Sequence, residues 1–401
     1  MPKVLRIINR FNLGGPTYNV AYLSHYMAPE FETILVGGTK DDTEDSSEHI
    51  LKNLGLTPLI IPEMKRSVNL REDRKAYLKI REIILDFRPD IVHTHASKAG
   101  TLGRLAASAC KVPVILHTFH GHVFHSYFGT AKTLLYKNIE RYLAAKSTRI
   151  IAISAKQKEE LSLVHRICPA NKIEIIPLGF DLERFRNNKE EKRADFRRTY
   201  RLDEDELVIM IIGRLVAVKN HRLFLEAIRY VTKNSKKRIR AFIVGDGEER
   251  SHIEAMATEM GLEFTDGKDR RTGLTVNFTS WIHDADWACA GADIIALSSF
   301  NEGTPVSLIE AQAAGKPIVT TDTGGIANVL LPGKTALLSQ AGDDLSFSKN
   351  MLELVENNEL RHSMSALGWE FVKSEFHYTR LVEDMKKLYR QLLENEAMKL
   401  R

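Results

Sequence analysis

The most informative segment of this chain reads Phe300-Asn-Glu-Gly-Thr-Pro-Val-Ser-Leu-Ile-Glu310. It follows the apolar run Asp293–Ser298, which is typical of a buried strand in a parallel sheet. Thr304 is placed to be the N-cap and Pro305 the first residue of a helix, which Gly315 is placed to end. The pattern therefore predicts a strand–loop–helix unit of an α/β domain.

Two glutamates flank the start of this predicted helix. Glu302 lies in the loop before the helix, and Glu310 lies about 8 Å further along the helix axis. Between them, the free amide groups and the positive end of the helix dipole favour a phosphate. A nucleotide sugar, with hydroxyl groups at both ends and a diphosphate in the middle, fits this arrangement. The alternative is that Glu302 is a solvated loop residue and Glu310 a surface charge.

Length and composition are those of a two-domain globular protein. The 401 residues exceed what one hydrophobic core usually supports, and contents of 43% hydrophobic and 27% charged residues are ordinary. No apolar run is long enough for a transmembrane helix, and the N-terminus is too charged for a signal peptide. Cys110, Cys168 and Cys289 lack metal-ligand spacing, so reduced thiols and a cytoplasmic location are expected.

Positive charge is concentrated in the first half of the chain. Residues 1–180 carry 25 Lys and Arg against 17 Asp and Glu, whereas the whole chain has a net charge of +5. This excess suggests an anionic partner, which is either a phosphorylated acceptor or the inner leaflet of a membrane. Basic and aromatic residues alternate over residues 127–172, which is consistent with a membrane-surface helix or with an ordinary amphipathic helix.

Strands and helices alternate along the whole chain, as they do in doubly wound α/β domains. One series of predicted strands runs from Val4–Ile8 to Lys172–Ile176, and a second runs from Leu207–Ile212 to Pro317–Thr320. A charged stretch, Arg186–Arg198, separates the two series. The predicted parts are a first domain of residues 1–178, a linker of residues 179–203, a second domain of residues 204–375 and a terminal helical segment of residues 376–401.

Two predicted turns carry glycines where a ligand can approach the backbone. Gly14 and Gly15 follow the first strand, and Gly245 and Asp246 follow the second strand of the second series. Glycines at such positions leave amide groups free for an anion. The alternative is an ordinary tight turn, since the complete dinucleotide-binding fingerprint is absent.

Two cations follow the strand that opens the second series. Arg214 and Lys219 belong to the segment Gly213-Arg-Leu-Val-Ala-Val-Lys219, at the edge where open α/β sheets bind ligands. Arg offers a planar fork and Lys a point charge, and together they can neutralise a diphosphate. The alternative is that both are surface cations.

Histidines are dense in the first half. His93 and His95 end one predicted strand, and His120 and His122 follow the next. They lack the helical spacing and the nearby acidic residue of a zinc site, so we expect no metal there. Each is a structural hydrogen-bonding residue or part of a site, and nearby Lys98 is a candidate to meet an acceptor phosphate.

Asp284 and Asp286 imitate a metal-binding acid pair. They precede a predicted helix rather than end a buried strand, so N-capping by Asp284 explains them more simply.

Several of these elements together resemble glycosyltransferase family 4, a group of retaining enzymes with the GT-B fold. The resemblance rests on Glu302–Pro317, on Gly213–Lys219 and on Thr118-Phe-His-Gly121. The form of the histidine-rich segments looks most like bacterial enzymes that build capsule, exopolysaccharide or O-antigen units.

The resemblance implies roles for individual residues. Arg214 and Lys219 would clamp the donor diphosphate, Glu302 would hold hydroxyls of the donor sugar and Glu310 the ribose. With His120, the cleft histidine beside the donor sugar, the catalytic candidates are His120, Arg214, Lys219 and Glu302. Further donor contacts are expected at Gly14, Gly15, Gly245, Asp246, Ile282, Gly303, Thr304, Pro305 and Val306. Acceptor contacts are expected at His95, Lys98 and His122.

The resemblance also implies an architecture and a reaction. Two Rossmann-like domains would face a cleft, the first on the acceptor side and the second binding the donor, with the C-terminal helix crossing back to the first. The reaction would be retaining transfer from a nucleoside-diphosphate sugar, expected to be UDP-linked, to a glycan or polyprenyl-diphosphate-linked acceptor, without a metal or other cofactor. Trp281 and the Thr304-Pro305 pair depart from the commoner family pattern, so donor sugar and base stay open.

Other classes are consistent with parts of the pattern. A nucleotide-sugar epimerase of the same build would use similar phosphate and ribose contacts, and a non-catalytic sugar-binding protein would need only some of them. A dinucleotide-dependent dehydrogenase fits poorly, because the second strand ends in Gly37-Gly38 rather than in an acidic residue.

Overall fold

The structure is a computed structural model that describes residues 1–12, 15–39, 47–65, 67–120, 130–267 and 275–399. By its internal contacts the chain divides into two compact units. The first unit contains Met1–Phe180 together with Phe376–Arg401, and the second contains Asp181–Glu375. Each unit is built on a parallel sheet, in line with the alternating pattern of the sequence.

The first sheet has the strand order β3-β2-β1-β4-β5-β6-β7 within the described residues, and the described pairings are parallel. Its strands are β1 (Lys3–Arg10), β2 (Glu32–Gly38), β3 (Leu59–Ile60), β4 (Ile91–His95), β5 (Val114–Phe119), β6 (Arg149–Ala152) and β7 (Ile173–Ile175). The central strands are buried on both faces, and the polar residues at the ends of β4 and β5 are buried with the apolar ones.

The second sheet has the order β10-β11-β9-β8-β12-β13-β14, again parallel over the described residues. Its strands are β8 (Glu206–Ile212), β9 (Arg238–Val244), β10 (Phe264–Thr265), β11 (Val276–Ser280), β12 (Ile294–Leu297), β13 (Ile318–Asp322) and β14 (Ala336–Gln340). The predicted strands are present in both units. Three further strands, β3, β10 and β14, escaped prediction, because two of them have only two residues and β14 is a partly exposed edge strand.

Helices cover both faces of the sheets. They are α1 (Gly15–Tyr26), α2 (Glu48–Asn53), α3 (Leu70–Phe87), α4 (Ser97–Ala109), α5 (Thr130–Lys146), α6 (Ala155–Glu159), α7 (Lys189–Thr199), α8 (His221–Asn234), α9 (Arg250–Glu259), α10 (Ala285–Gly291), α11 (Val306–Ala313), α12 (Asp344–Glu356), α13 (Asn358–Phe376) and α14 (Tyr378–Lys399). As expected, the C-terminal helix α14 returns to the first unit, where Leu388 and Tyr389 pack against Val4 and Ile91 of the sheet.

The segment of residues 179–203, which its charge marked as a linker, contains the folded helix α7 within the second unit. A single aromatic residue anchors this charged helix: Phe196 is fully buried against Trp287 and Phe242. The Phe196 ring packs directly against Gly291, because a Cβ at Gly291 would lie only 2.2 Å from the ring. One buried residue among eleven is too weak a pattern to reveal such a helix from sequence.

Among the described residues, no helix has the length and apolar character needed to cross a membrane.

Candidate active site

The loops that follow four neighbouring strands of the second sheet form the candidate site. Because β8, β9, β12 and β13 are parallel, their carboxyl ends lie at a common edge. The loops after β8 and β9 meet at two glycines: a Cβ at Gly245 would lie 1.9 Å from the carbonyl oxygen of Gly213. Gly245 also has a φ of +142°, so this close approach of two backbones requires glycine there.

An ion pair stands at this edge. Lys219 Nζ lies 2.6 Å from Glu302 Oε1, and the hydroxyl of Ser299 donates a hydrogen bond of 2.6 Å to the same oxygen. The Lys219 and Glu302 side chains are 20% and 12% exposed. The sequence assigned both residues to a donor site without linking them, and the structure brings them together. Because both charges are largely removed from solvent, loss of either partner leaves the other uncompensated.

Contacts with the loop after β8 hold Glu302 close to Lys219. The amide of Phe300 donates to the carbonyl of Val218 at 2.8 Å, and the hydroxyl of Ser298 donates to the carbonyl of Lys219 at 3.0 Å. The two loops are thus joined beside the ion pair, so its geometry depends on backbone contacts as well as on flexible side chains.

The turn after β13 supports the same loop from the other side. The hydroxyls of Thr321 and Thr323 donate to the carbonyl of Ser299 at 2.7 and 3.1 Å. The amide of Gly325 donates to the carbonyl of Glu302 at 2.8 Å. Glu302 therefore occupies a loop that is fixed on both sides.

Two adjacent glycines make this support possible. A Cβ at Gly324 would lie 2.0 Å from the carbonyl oxygen of Glu302, and a Cβ at Gly325 would lie 1.9 Å from that of Gly303. Gly324 also has a φ of +59°. A side chain at either position would displace the Glu302 loop.

Arg214 and Asp246 have different surroundings. Arg214 is exposed, and its nearest carboxylate is that of Glu248 at 3.8 Å. Asp246 accepts a hydrogen bond of 2.9 Å from the amide of Gly247 and lies 3.6 Å from the Arg250 guanidinium. Arg214 thus keeps the freedom to reach an anion, whereas Asp246 shapes the turn after β9.

The start of α11 differs from the prediction by one residue. Pro305 is the N-cap, with an extended ψ of 102°, and the helix begins at Val306. Thr304 therefore precedes the cap instead of being it, and Pro305 is not the first helical residue. The reason is that proline fixes only φ, and here ψ remains extended. The helix end at Gly315, with φ +65°, agrees with the prediction, and Gly303 is exposed.

Glu310 lies inside α11 and is half-buried. Burial raises the pKa of the Glu310 carboxyl to about 7, the Asp286 carboxylate acts in the same direction, and the Arg184 guanidinium opposes them. The group therefore changes its charge near neutral pH, which the sequence did not indicate.

The acid pair at the start of α10 makes structural contacts, and Asp286, which was expected to precede the helix, lies in its first turn. Asp284 occupies the N-cap position, as predicted, but its side chain makes no capping hydrogen bond. Asp286 pairs with Arg184 at 2.7 Å and with Lys192 at 2.8 Å, and these contacts tie α10 to α7 and to the turn that precedes α7. Ile282, the candidate base contact, is half-buried next to this pair in sequence.

In the first unit, His95 and His120 meet at the carboxyl edge of the sheet. His95 Nδ1 lies 2.9 Å from His120 Nε2, and the two rings are stacked. Burial lowers the pKa of His120 to about 4 and that of His95 well below its ordinary value. Both rings are therefore neutral at pH 7, and His95, the candidate acceptor contact, lies against the catalytic candidate His120.

Lys98 is engaged within the first unit. Its Nζ donates to the carbonyls of Lys65 and Ser67 at 2.9 and 2.6 Å and pairs with Asp73 at 2.5 Å. These contacts fix the loop before α3 and leave the ammonium little capacity for an acceptor phosphate. Gly15 is the first residue of α1, whereas Gly14 and His122 lie outside the described residues.

Sequence reasoning missed the residues that support the site. Ser299, Thr321, Thr323 and Gly324 contact Glu302 or its loop. The available signal was weak: a Thr-Thr-Asp-Thr-Gly-Gly turn at the end of a strand. In the described part of the chain, no cluster of three or more His, Cys, Asp or Glu side chains has a metal-binding arrangement.

Two family models match the chain. The model described as Glycosyltransferase Family 4 matches residues 13–184, and the model described as Glycosyl transferases group 1 matches residues 192–368. Together they cover most of both units.

Curated relatives match over most of their length. A protein of Escherichia coli, named UDP-Gal:alpha-D-GlcNAc-diphosphoundecaprenol alpha-1,3-galactosyltransferase, is 29% identical over 343 residues, with 84% of each chain covered. The capsular polysaccharide biosynthesis glycosyltransferase CapM of Staphylococcus aureus is 24% identical, with 85% of this chain and 86% of CapM covered.

Among solved structures, Anabaena HepE in complex with UDP and glucose superposes with a TM-score of 0.79 at 15% identity. The match covers 98% of this chain and 100% of HepE. At this identity the likeness concerns the fold.

Proposed function

This chain belongs to glycosyltransferase family 4 and has the GT-B fold of two Rossmann-like domains, and from that premise we propose the reaction that it catalyses. It transfers a sugar from a UDP-linked donor to a hydroxyl group of a glycan or lipid-linked acceptor, with retention of the anomeric configuration. The observation that carries this proposal is the Lys219–Glu302 pair, fixed at 2.6 Å at the carboxyl edge of the second sheet.

In this proposal the second unit, with residues 204–375 as its donor domain, binds the nucleotide sugar. The Lys219 side chain passes beside Gly213, where a Cβ would lie 3.5 Å from its Cε, so a diphosphate can approach both the ammonium and the backbone. Arg214 is exposed and adds a second cation. Glu302 accepts hydrogen bonds from hydroxyls of the donor sugar, and Glu310 accepts them from the ribose.

The remaining proposed donor contacts lie in loops of the second unit and at the glycine pair of the first. The turn of Gly245 and Asp246 gives the nucleotide access to the backbone, and Ile282 contacts the base. Free amides at the start of α11, near Thr304 and Val306, face the phosphate. Gly14 and Gly15 remain candidates for contact with the donor phosphates through their backbone.

The proposed step needs no enzyme nucleophile. The bond between the anomeric carbon and the diphosphate oxygen breaks while an acceptor hydroxyl attacks from the same face and forms the new glycosidic bond. The leaving diphosphate takes the proton of that hydroxyl. Lys219 and Arg214 stabilise the negative charge that develops on the leaving oxygen, which is work that a metal ion does in other transferases. His120, from the acceptor-side domain of residues 1–178, remains a catalytic candidate.

Two comparisons support UDP and an anionic acceptor. The name of the E. coli relative specifies UDP-Gal and a diphosphoundecaprenol acceptor, and HepE was crystallised with UDP and glucose. The name of CapM refers to capsular polysaccharide biosynthesis. We infer a role in bacterial surface polysaccharide synthesis, at the cytoplasmic face of the inner membrane.

An exposed patch of the first unit supports contact with that membrane. Leu134, Leu135 and Tyr142 on α5 are each more than half exposed. Lys146 Nζ lies 4.9 Å from the centre of the Tyr142 ring. Apolar side chains beside cations suit an anionic bilayer surface.

Sedimentation with vesicles tests the membrane contact. The protein should sediment with phosphatidylglycerol vesicles and not with neutral phosphatidylcholine vesicles. A Leu134→Ser, Leu135→Ser variant should lose this binding. If the variant sediments with phosphatidylglycerol vesicles as well as the wild type does, this patch is not the membrane-binding surface.

Product analysis tests the reaction. The protein is incubated with UDP-sugars and an undecaprenyl-diphosphate-linked sugar, with and without chelator, and the anomeric configuration of the product is read by NMR. Transfer with retention, unaffected by chelator, is expected. An inverted product would overturn the mechanism. Conversion of the donor sugar without acceptor would instead indicate an epimerase.

A further inference from the structure

Three helices of the first unit form a continuous layer on one face of its sheet. α4 packs against α3 on one side and against α5 on the other, and a buried ion pair of 2.7 Å between Arg104 and Glu140 joins α4 to α5. The connections through these helices all advance in one direction, from β3 to β4, β5 and β6. Right-handed crossovers therefore place the three helices on the same face.

The inner side of α3 accounts for its packing on the sheet. Ala76, Ile80, Ile84 and Phe87 are buried in a core cluster that they share with α4 and with the central strands. They recur every three or four positions, so the opposite side of α3 faces away from the core. Folding therefore places no apolar requirement on that outer side.

The outer side of α3 nevertheless carries leucines. A stripe of residues at intervals of three or four consists of Leu70, Arg74, Leu78, Arg81 and Leu85. The three leucines are 84%, 48% and 57% exposed. Single exposed leucines are common on protein surfaces, but leucine that alternates with arginine over about four helical turns is typical of a helix that binds at a membrane surface.

The stripe carries positive charge and no carboxylate. The acidic residues of α3 lie beside it, at Glu72, Asp73, Glu82 and Asp86. Of these, Glu72 pairs with Lys75, and Asp73 pairs with Lys98. Arg74 is exposed, and neither Arg74 nor Arg81 has a carboxylate partner among the residues that the structure describes. The stripe therefore attracts an anionic partner.

The pattern of the stripe favours one kind of anionic partner. A second copy of the chain would bring Arg74 and Arg81 of both copies together, which like charges oppose. A protein groove takes contiguous apolar anchors, whereas each arginine here separates two leucines. The headgroup layer of an anionic bilayer accepts both kinds of side chain, and the exposed Leu134 and Leu135 of α5 belong to the same helical layer.

We propose that the outer side of the α3–α4–α5 layer docks on an anionic lipid bilayer, with the stripe of α3 as a line of contact separate from the patch on α5. Both α3 and α5 begin at the carboxyl edge of the sheet, where His95 and His120 lie, and Leu70 is the first residue of α3. Docking thus holds the acceptor side of the unit near the headgroups. This consequence rests on the proposed function, in which the acceptor is lipid-linked, whereas the docking itself does not.

Sedimentation of the full chain with phosphatidylglycerol vesicles, without substrates, tests the stripe while the α5 patch is intact. An Arg74→Ser, Leu78→Ser variant loses one cation and one leucine, so its binding should be about tenfold weaker than that of the wild type. Added salt should weaken the binding of the wild type. Unchanged binding of the variant, or no binding by the wild type, would overturn the proposal.

Helix α12 of the second unit supplies the matched control. Leu345 and Lys349 are an exposed leucine and an exposed cation four positions apart, which is also the spacing of Arg74 and Leu78. A Leu345→Ser, Lys349→Ser variant should bind the vesicles as the wild type does. Both variants change side chains outside the core, so both melting temperatures should stay near that of the wild type. Equal loss of binding in the two variants would overturn the stripe as a specific surface.

Quenching of tryptophan fluorescence by brominated phosphatidylglycerol measures insertion directly. Leu78→Trp places a reporter in the stripe, Leu345→Trp places one outside it, and the wild type gives the background of the native tryptophans. Quenching above this background is expected for Leu78→Trp and not for Leu345→Trp. If Leu78→Trp binds the vesicles without such quenching, the stripe does not enter the bilayer and the proposal is wrong.

The size of the protein in solution tests the competing partner. Sedimentation velocity without vesicles should give the same species for the wild type and for Arg74→Ser, Leu78→Ser. A dimer that dissociates in the variant would assign the stripe to a second copy and overturn docking on a bilayer. None of these measurements uses a donor or an acceptor, so failure of docking and failure of the proposed transfer reaction are observed separately.

Discussion

Each unit has its own parallel sheet, and the carboxyl edges of the two sheets carry different side chains: charged ones in the second unit and neutral polar ones in the first. In the second unit, the carboxyl edge carries the charged pair Lys219 and Glu302, together with the exposed cation Arg214. In the first unit, the edge carries His95 and His120, which are neutral because burial lowers their pKa values. Both units have the same kind of sheet, so the difference comes from the buried side chains beneath each edge, which decide whether the residues at that edge are charged or neutral.

The difference has a physical origin in what surrounds each edge. Beneath His95 lie the neutral ring of His93 and the positive guanidinium of Arg6, so a further positive charge is unfavourable. Lys219 instead has a carboxylate within 2.6 Å. The second unit is thus suited to an anionic ligand, and the first to hydrogen bonding with uncharged oxygens.

Removal of Lys219 should have the largest effect. Lys219→Ala deletes the cation proposed to stabilise the leaving diphosphate and leaves Glu302 uncompensated, so kcat/KM should fall by about 10²- to 10³-fold. Steady-state kinetics with the preferred donor measures this. Lys233→Ala, which removes an exposed cation at the end of α8, is the control and should be near wild type. A loss of less than threefold in Lys219→Ala would mean that charge at this edge is not used.

Gly324 tests whether the charged edge depends on its backbone support. Gly324→Ala places a Cβ against the carbonyl of Glu302, and a displacement of about 1 Å should lower kcat/KM by about 10²-fold. Gly333→Ala is matched, since Gly333 also has a positive φ, of +72°, but has open space around its Cβ position. Equal loss of activity in both variants would attribute the effect to backbone strain alone.

Arg214 should contribute less than Lys219, because it is exposed and can be partly replaced by solvent. Arg214→Ala should weaken donor binding by roughly tenfold, the value of one charge-assisted hydrogen bond. Calorimetric titration with a UDP-sugar measures the affinity. Arg222→Ala removes an equally exposed arginine of α8 and should leave the affinity unchanged. Equal affinity of wild type and Arg214→Ala would place Arg214 outside the site.

A pH dependence of donor binding near neutrality should arise from Glu310, because its pKa lies there, whereas burial lowers the pKa values of His95 and His120. The pKa of Glu310 is about 7, and hydroxyl groups bind the ionised form better, so affinity for a UDP-sugar should fall roughly tenfold between pH 8 and 6. The diphosphate of the donor is a diester and does not titrate in this range. Glu310→Gln should bind more weakly and show no such dependence.

The same group affects stability with a defined sign. Its pKa is raised in the folded chain, so the folded state binds the proton more tightly than the unfolded state. The free energy of unfolding should therefore decrease as pH rises from the ordinary carboxyl pKa towards about 7, and this decrease should vanish in Glu310→Gln. Urea unfolding at pH 5 and pH 8 measures the difference. An unchanged decrease in the variant would assign it to other groups.

Much of the fold was readable from the sequence because buried parallel strands form continuous apolar runs. Val4–Ile8 and Leu207–Ile212 are such runs, and both lie within central strands. Helix α7 could not be predicted from the sequence, because its position depends on one aromatic residue, Phe196, that packs against Trp287, a residue distant in the chain. Tertiary contacts of that kind leave no periodic signal.

In the candidate site too, residues in local motifs could be predicted, whereas contacts between distant residues could not. Lys219 and Glu302 were found through local motifs, but their contact joins residues 83 positions apart, which no local pattern contains. Likewise, His120 was identified as a candidate, but its contact with His95 joins residues of different segments, and no local pattern contains it. The raised pKa of Glu310 depends on burial, which its glutamate-rich motif does not express.

The most direct test of the central claim is calorimetric titration of wild type and Lys219→Ala with UDP-, GDP- and ADP-sugars, each with and without chelator. The claim predicts that a UDP-sugar binds the wild-type protein equally well with chelator and that Lys219→Ala binds it far more weakly. Equal binding by Lys219→Ala, or binding that chelator abolishes, would contradict a donor site in which Lys219 supplies the charge.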